Sequence, residues 1–170
     1  LDTRTPKEFG AGFIPNAINI GIDGSFAVWV GTLITDIKQK ILLVTAPGRE
    51  QEVVTRLARV GYDHTIGYLD GGFTAWKNAG KETDAIVSLS ANEFAAAEVS
   101  NPDINILEKK KKSEYDSEHI VNAVNTPLDF INESMQQIDK NKTYYVHCAG
   151  GYRSMIFVSI LRARGYDNLI

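Results

Sequence analysis

Short apolar runs alternate along the chain with stretches in which apolar residues recur at helical spacing. The runs are rich in β-branched and aromatic residues, as buried parallel strands are, and they cover 41–44, 104–107 and 143–146. The helical stretches cover 49–61 and 153–165, and each ends in a basic turn followed by glycine, which is a helix stop signal. The order of strand, tight turn and helix predicts an α/β fold.

A further helix is predicted after Ser90, because Ser90 and Glu93 have the spacing of a capping box. Phe94 and Ala97 are expected to face inward from this helix. The segment 80–88 is the natural linker between the two halves of the chain.

The chain contains two copies of one unit, about 105 residues apart. Residues 8–20 align without a gap with 114–126, and 57–63 align with 161–167. We therefore predict two domains, 1–85 and 86–170, each a small parallel sheet flanked by helices. Both copies are expected to be incomplete here, because the first has no counterpart of 86–106 and the second ends where the first continues with 67–80.

Composition narrows the function classes. Hydrophobic residues at 44% and charged residues at 23% are ordinary for a globular protein. The net charge of -3 and the pI near 5.6 predict no nucleic acid and no membrane as partner. No run approaches the roughly 18 apolar residues that span a bilayer, and the first residues do not resemble a signal peptide, so a cytoplasmic location is expected. The start at Leu1 rather than at methionine predicts a piece of a longer polypeptide.

The only cysteine, Cys148, is a candidate nucleophile. It cannot form an internal disulfide, and with three histidines it offers no zinc spacing, so it is either a small buried residue or a reactive thiol. It follows a predicted strand and precedes a predicted helix, where open α/β folds place ligand sites. Gly150 and Gly151 permit a turn whose N–H groups point at one centre, and a thiolate beside a helix N-terminus is stabilised. These neighbours favour the reactive thiol.

Three residues flank this candidate. Arg153 lies five positions after the cysteine, where it binds an oxyanion, braces the loop or forms a surface salt bridge. Ser154 caps the helix or donates a hydrogen bond to a sulfur anion. His147 points away from Cys148 if strand alternation holds, which favours packing or support over a role as general base.

Two segments resemble a rhodanese domain. Residues 148–154, C-A-G-G-Y-R-S, match the family pattern C-x-x-G-x-R-S, and residues 113–128 match the family pattern S-E-F-x-x-G-H-I-x-G-A-x-N-I-P. The resemblance implies a sulfurtransferase in which Cys148 takes sulfur from a small anionic donor, such as thiosulfate or a persulfide, and passes it to a thiol or another thiophilic acceptor. Arg153 would attract the donor. No metal or cofactor is implied in this part of the chain. The implied substrate-binding residues of the loop are Ala149, Gly150, Gly151, Tyr152 and Ser154.

Two other functions stay open. Many rhodanese-like domains have lost the cysteine and act as docking or regulatory modules. Tyrosine-phosphatase-like enzymes place five residues between cysteine and arginine, whereas four separate Cys148 from Arg153. The smaller loop favours a terminal sulfur over a tetrahedral phosphate.

The first copy departs from the family pattern at the nucleophile. With 57–63 aligned on 161–167, Cys148 falls on Val44 and Arg153 falls on Arg49. The first domain is therefore expected to be inert in sulfur transfer.

The second copy departs at the end of its first strand, where the family reads Asp-Val-Arg. The first copy has Asp-Thr-Arg at 2–4, whereas the second has Glu108 followed by four lysines at 109–112. Such a run is a solvated loop or a patch that steers anionic donors toward Cys148. On the second interpretation, Lys109 and Lys110 bind the donor.

A narrower resemblance concerns the whole chain. The segment 12–34, and the pairing of an inert unit with an active one, are similar to the C-terminal half of metallo-β-lactamase–rhodanese fusion proteins of persulfide metabolism. This implies an iron-bearing hydrolase-like domain upstream in the same polypeptide, outside this chain. The oligomeric state stays open, a homo-oligomer included.

Overall fold

The structure is a computed structural model that describes residues 1–101 and 103–170. The chain divides into two compact units, Leu1–Ala85 and Ile86–Ile170. Each unit has its own parallel strands, its own helices and its own buried apolar residues.

The first unit is built around two parallel strands, β1 (Ile41–Leu43) and β2 (Thr65–Tyr68). Asp2 extends this sheet through parallel bridges to Asn19 and Val44. The helices of the unit are α1 (Pro6–Ala11), α2 (Phe26–Leu33), α3 (Glu50–Ala58) and α4 (Gly72–Asn78). The core is largely aromatic and aliphatic, with Phe9, Phe13, Val30, Val53 and Leu57 fully buried.

The second unit has a three-stranded parallel sheet in the order β4-β3-β5. Its strands are β3 (Asn105–Glu108), β4 (Val124–Asn125) and β5 (Tyr144–His147). Its helices are α5 (Ala91–Ser100), α6 (Lys112–Ser117), a 3-10 turn (Leu128–Phe130), α7 (Ile131–Gln136) and α8 (Tyr152–Ala163). Helix α8 is the core element, since eight consecutive residues from Ser154 to Leu161 are buried.

The helix signals of the sequence act as predicted in α5. Ser90 accepts a hydrogen bond from the Glu93 N–H, and the Glu93 carboxylate accepts one from the Ser90 N–H, which completes the capping box. Phe94 and Ala97 are half-buried, and the Phe94 ring packs edge-on against Tyr145 of β5. The helix therefore covers part of the sheet.

The internal repeat of the amino-acid sequence is also visible in the conformation of the backbone. Asn16 and Asn122 occupy matching positions and both have a positive φ, 67° and 64°, which asparagine adopts more readily than most residues. After α3 and α8, the N–H groups of Tyr62 and Tyr166 donate to the carbonyls of Leu57 and Leu161 at 3.0 and 3.1 Å. The two copies thus share turns and helix ends.

A buried ion pair is also repeated. In the first unit Arg4 binds Asp2 at 2.6 Å and donates to the Gly12 carbonyl at 2.9 Å. In the second unit the Lys110 ammonium lies 2.6 Å from Glu108 and donates to the matching carbonyl, that of Glu118, at 2.8 Å. Glu-Lys-Lys at 108–110 therefore preserves the interaction that Asp-Thr-Arg makes at 2–4.

None of the helices in the part of the chain described is long and apolar enough to cross a membrane.

Candidate active site

Cys148 lies at the carboxyl end of the second unit's sheet. It follows β5 directly and is separated from α8 by three residues, so that it sits between a strand end and a helix N-terminus. The side chain is 5% exposed. Gly151, the N-cap of α8, has a φ of 80°, which a glycine adopts without strain. The turn therefore brings the backbone N–H groups of the helix start toward the sulfur.

Hydrogen-bond donors from this turn surround the sulfur. The Ser154 N–H donates to Cys148 Sγ at 3.4 Å, and Ser154 Oγ lies 3.5 Å from it. The N–H groups of Gly150 and Arg153 also point at the sulfur. This arrangement suits an anion, because each donor stabilises negative charge on sulfur.

Burial raises the pKa of the Cys148 thiol, since a charged sulfur is disfavoured away from water. The hydrogen bonds from the Ser154 hydroxyl and from the N–H groups of Ser154, Gly150 and Arg153 lower it. Together these hydrogen bonds outweigh burial, and the pKa lies below the usual value for cysteine. The thiolate is therefore favoured in the folded protein.

The side chain of Arg153 binds a carboxylate rather than standing free. Its two terminal nitrogens lie 2.6 and 3.0 Å from the oxygens of Glu114, a residue 39 positions earlier in α6. Hydrogen bonds to Arg153, and one from the Lys111 N–H at 2.9 Å, lower the pKa of Glu114 to about 2. The pair ties the start of α8 to α6. The salt bridge that the sequence left open is present, and it braces the Cys148 loop.

The remaining loop residues lie where a ligand can reach them. Ala149, Gly150 and Gly151 are exposed, and Tyr152 is half-buried at the first position of α8. Their predicted contact with substrate stays a prediction.

The His147 ring lies beside Glu108, with its Nδ1 3.7 Å from Glu108 Oε1, whereas the sulfur of Cys148 contacts Ser154. The two neighbouring side chains therefore have different partners.

Comparisons with known proteins place this geometry in a family. The family model described as Rhodanese-like domain matches residues 1–79 and again residues 90–170. The chain belongs to the rhodanese family. It contains two rhodanese-like domains, each an α/β unit with a small parallel sheet flanked by helices.

The two rhodanese-like domains have relatives among characterised proteins. The chain is 41% identical over 64 residues to a protein named tRNA sulfurtransferase from Thermoplasma acidophilum, covering 37% of this chain and 12% of that protein. A rhodanese-like domain protein from Staphylococcus aureus is 30% identical, with 46% of this chain and 76% of that chain covered and a TM-score of 0.44. The thiosulfate sulfurtransferase of Pseudomonas aeruginosa is 22% identical, with 99% and 36% covered and a TM-score of 0.43.

The sheet register corrects the alignment of the two rhodanese-like domains at the nucleophile. The Thr3 N–H donates to the Val44 carbonyl, and the matching Lys109 N–H donates to the His147 carbonyl, at 2.9 and 2.8 Å. Val44 is therefore the counterpart of His147, and Thr45 rather than Val44 corresponds to Cys148. The earlier alignment was displaced because the segment between this position and the helix end is one residue shorter in the first domain.

The first rhodanese-like domain fills the equivalent turn with a carboxylate. Glu50, at the start of α3, accepts hydrogen bonds from the Gly48 N–H at 3.2 Å and from the Thr45 hydroxyl at 3.3 Å. A hydrogen bond from its own N–H, more than any other contact, lowers the pKa of Glu50.

Arg49 of the first domain binds Asp23 and Glu52, at 2.7 and 2.9 Å. Arg49 is therefore no functional match for Arg153.

The structure also corrects the expectation for the lysine run of the second rhodanese-like domain. Lys109 is 0% exposed, and its ammonium donates to the Thr126 hydroxyl at 2.7 Å and lies 3.1 Å from the centre of the Phe157 ring. Burial holds the pKa of Lys109 well below the usual value for lysine. Lys110 is bound to Glu108, as described above. Both side chains are bound inside the domain, so neither is positioned to bind a donor from solvent.

Glu114 is not among the site residues predicted from the sequence. The contact of Glu114 with Arg153 gives it a place at the site. One feature of the sequence points to Glu114. It is the third residue of α6, as Glu8 is the third residue of α1, and an acidic residue at this position caps a helix. The partner arginine, however, exists only in the second domain.

Proposed function

We propose that this chain is a sulfurtransferase in which Cys148 takes up sulfane sulfur as a persulfide. The observation that supports this most directly is the ring of hydrogen-bond donors on Cys148 Sγ, formed by Ser154 and by the loop N–H groups. These donors favour the thiolate, which is the nucleophilic form of cysteine. The family membership supports the same chemistry.

The reaction needs no oxidant or reductant. The Cys148 thiolate attacks the outer sulfur of thiosulfate, a new S–S bond forms, and the S–S bond of the donor breaks. Sulfite leaves with the electron pair of that bond, and Cys148 carries a persulfide anion. An acceptor such as cyanide or a thiolate then takes the terminal sulfur and returns the Cys148 thiolate.

The loop residues have distinct tasks in this proposal. The N–H groups between Ala149 and Ser154 hold the persulfide anion, as successive amides at a helix start hold anions generally. Arg153, fixed by Glu114, keeps the loop in shape and presents its remaining N–H groups near the sulfur. Tyr152 borders the entrance at the start of α8.

The first rhodanese-like domain is inert in this proposal. It has Thr45 at the nucleophile position, and the carboxylate of Glu50 occupies the turn that would hold a sulfur anion. A single cysteine in the chain leaves Cys148 as the only carrier of sulfur.

The setting of the activity stays a prediction. The chain spans only 12% of the tRNA sulfurtransferase and 36% of the thiosulfate sulfurtransferase to which it is similar. A cytoplasmic location, a fusion to an iron-bearing hydrolase-like domain and the natural donor and acceptor are therefore hypotheses, since no residue of this chain tests them.

Intact mass after incubation with thiosulfate tests the proposal. We expect a gain of one sulfur, about 32 Da, that cyanide removes as thiocyanate, because the persulfide sulfur is transferable. The C148S variant should gain nothing. A parent protein that gains no sulfur from thiosulfate or from an alkyl persulfide would instead be a docking module, and release of phosphate from an aryl phosphate would indicate a phosphatase.

A further inference from the structure

Three of the four lysines at 109–112 have partners within the domain. Lys109 binds Thr126, Lys110 binds Glu108 and Lys112 binds Asp116 of α6. Lys111 is exposed, and its ammonium forms no ion pair in the ranges 1–101 and 103–170. Lys111 and Lys112 are both exposed, but Lys112 is paired with Asp116, so Lys111 is the exposed lysine of the run that forms no ion pair within the described residues.

Lys111 lies beside the Cys148 loop. It is the N-cap of α6, and its N–H donates to Glu114 Oε2 at 2.9 Å. The same carboxylate binds both terminal nitrogens of Arg153, whose own N–H points at the sulfur of Cys148. One carboxylate thus separates Lys111 from the loop.

The charges of these groups do not cancel. Glu114 neutralises Arg153, so this pair presents no net charge to an approaching anion. Lys111 adds one positive charge next to the pair. The positive charge of Lys111 also lowers the pKa of Glu114, after the hydrogen bonds from Arg153 and from the Lys111 N–H. Lys111 is therefore the positive charge beside this pair that no carboxylate in the described residues binds.

We propose that Lys111 is a specificity-determining residue that attracts anionic sulfur donors to Cys148 and favours dianions over monoanions. The inference rests on the proposed function of Cys148. Lys111, whose side chain is exposed, takes the donor-attracting role that the sequence suggested for Lys109 and Lys110, whose ammonium groups bind partners within the domain.

The effect should scale with the charge of the donor. The Coulomb energy is proportional to the charge of the donor, so a change of about 2.5-fold in the rate with a monoanion corresponds to about sixfold, its square, with a dianion. Salt removes the effect, because the screening length falls from about 30 Å at 0.01 M to about 3 Å at 1 M.

The test compares sulfur loading of Cys148 by thiosulfate, a dianion, and by methanethiosulfonate, a monoanion, in the parent and in K111Q. At 10 mM ionic strength we expect K111Q to lower the second-order loading rate about sixfold with thiosulfate and about 2.5-fold with methanethiosulfonate. At 1 M salt both differences should fall to within about 1.5-fold. K111R should load at the parent's rate.

Lys142 gives a matched control. It is exposed and lies two residues before β5, at the opposite end of the strand from Cys148. K142Q makes the same change of net charge and should leave both loading rates unchanged.

The outcomes are distinct. Equal loss with both donors, or a loss that persists at 1 M salt, would assign Lys111 a structural role and overturn the inference. No loss, or the same loss in K142Q, would overturn it as well. A parent that loads no sulfur from either donor would overturn the proposed function itself, and the inference with it.

Discussion

The pKa of Cys148 depends on one neighbouring residue more than on any other. The Ser154 hydroxyl and the Ser154 N–H are the two strongest influences that lower it, ahead of the N–H groups of Gly150 and Arg153. The Ser154 hydroxyl has one proton, which it donates to the Gly151 carbonyl at 3.1 Å while the neutral thiol donates to Ser154 Oγ. When Cys148 is a thiolate, the same proton is the one that the hydroxyl donates to the sulfur. The pKa of the thiol is therefore set largely by the first turn of the following helix.

Ser154→Ala should raise the pKa of Cys148, since it removes a hydrogen bond to the charged sulfur, an interaction worth about 1.5 kcal/mol. The measurement is the pH dependence of alkylation by iodoacetamide, which reports Cys148 alone in a chain with one cysteine. The midpoint in the parent should lie below about 8.5.

Ser159→Ala is the control for this prediction. Ser159 lies on the same helix, is buried and donates to the Ile156 carbonyl at 2.8 Å. It should leave the alkylation midpoint unchanged. An unchanged midpoint in the Ser154 variant would show that the loop amides alone set the pKa.

Glu114 shows why residue types do not by themselves define a role. An arginine at the lip of an anion loop suggests a free cation, yet the structure gives it a carboxylate partner from α6. The loop arginine is thereby held in one orientation, and its charge is balanced. Recognition of an anion then depends on the loop N–H groups and on unpaired charges nearby.

At the scale of elements, the two domains differ in one buried contact. In the second domain it joins the residue that follows β3 to the residue that follows β4, and the first domain has different residue types at the matching positions. In the first domain the matching positions are Thr3 and Ile20, both buried. In the second they are Lys109 and Thr126, and the lysine is fully buried. A buried lysine is costly because its charge loses water, and in the described part of the chain a hydroxyl and a ring are the groups that its ammonium contacts.

The double variant Lys109→Met and Thr126→Ile should stabilise the second domain by about 1–3 kcal/mol at pH 7, because apolar packing replaces a desolvated charge. Urea unfolding followed by circular dichroism measures this. K142M, a lysine replaced on the surface, should change the stability by less than about 0.5 kcal/mol.

The pH dependence provides an independent check. The pKa of Lys109 is lowered on folding, so the unfolded chain binds more protons and stability rises with pH. The rise begins at the folded pKa and ends near the usual lysine pKa of about 10.4. The double variant should lack this part of the rise. A variant that is less stable than the parent at pH 7 would contradict the prediction.

The elements themselves were largely predictable. The strand expected at 41–44 is observed at Ile41–Leu43, and the helix expected at 153–165 is observed at Tyr152–Ala163. These elements follow from local patterns, in which apolar runs form strands and helical spacing forms helices. Helix α4, which begins at Gly72, is not among the helices predicted from the sequence.

The sequence predicts the part of the site that is formed by residues close together along the chain. The cysteine, the glycines and the loop arginine lie within one turn, so the sequence brings them together. The Arg153–Glu114 pair joins residues 39 positions apart, and the burial of Lys109 depends on Phe157 in another element. The register at Thr45 was missed because a one-residue difference in length cannot be located by matching the flanking segments alone.

At the scale of the whole molecule, the two domains are stabilised by the same buried ion pair with different residues. Asp2 is bound by Arg4, and Glu108 is bound by Lys110, and both carboxylates are 0% exposed. Removing the cation from such a pair leaves a carboxylate unpaired in the interior. Each pair should therefore control the stability of its own domain.

Arg4→Met should lower the free energy of unfolding of the first domain by about 3–5 kcal/mol, the usual cost of an unpaired buried charge. Tryptophan fluorescence reports this domain alone, because Trp29 and Trp76 are the only tryptophans and both lie before residue 86. The part of the circular-dichroism transition in urea that tryptophan fluorescence does not follow reports the second domain.

The two probes should respond to opposite variants. Arg4→Met should shift the fluorescence midpoint to lower urea and leave the remaining circular-dichroism transition unchanged. Lys110→Met should shift that remaining transition to lower urea and leave the fluorescence midpoint in place. A fluorescence midpoint that Arg4→Met does not move would contradict the role of the first pair. If Lys110→Met has the expected effect, Lys110 is the residue of the Glu-Lys-Lys segment at 108–110 that stabilises the second domain, as Arg4 is in the Asp-Thr-Arg segment at 2–4.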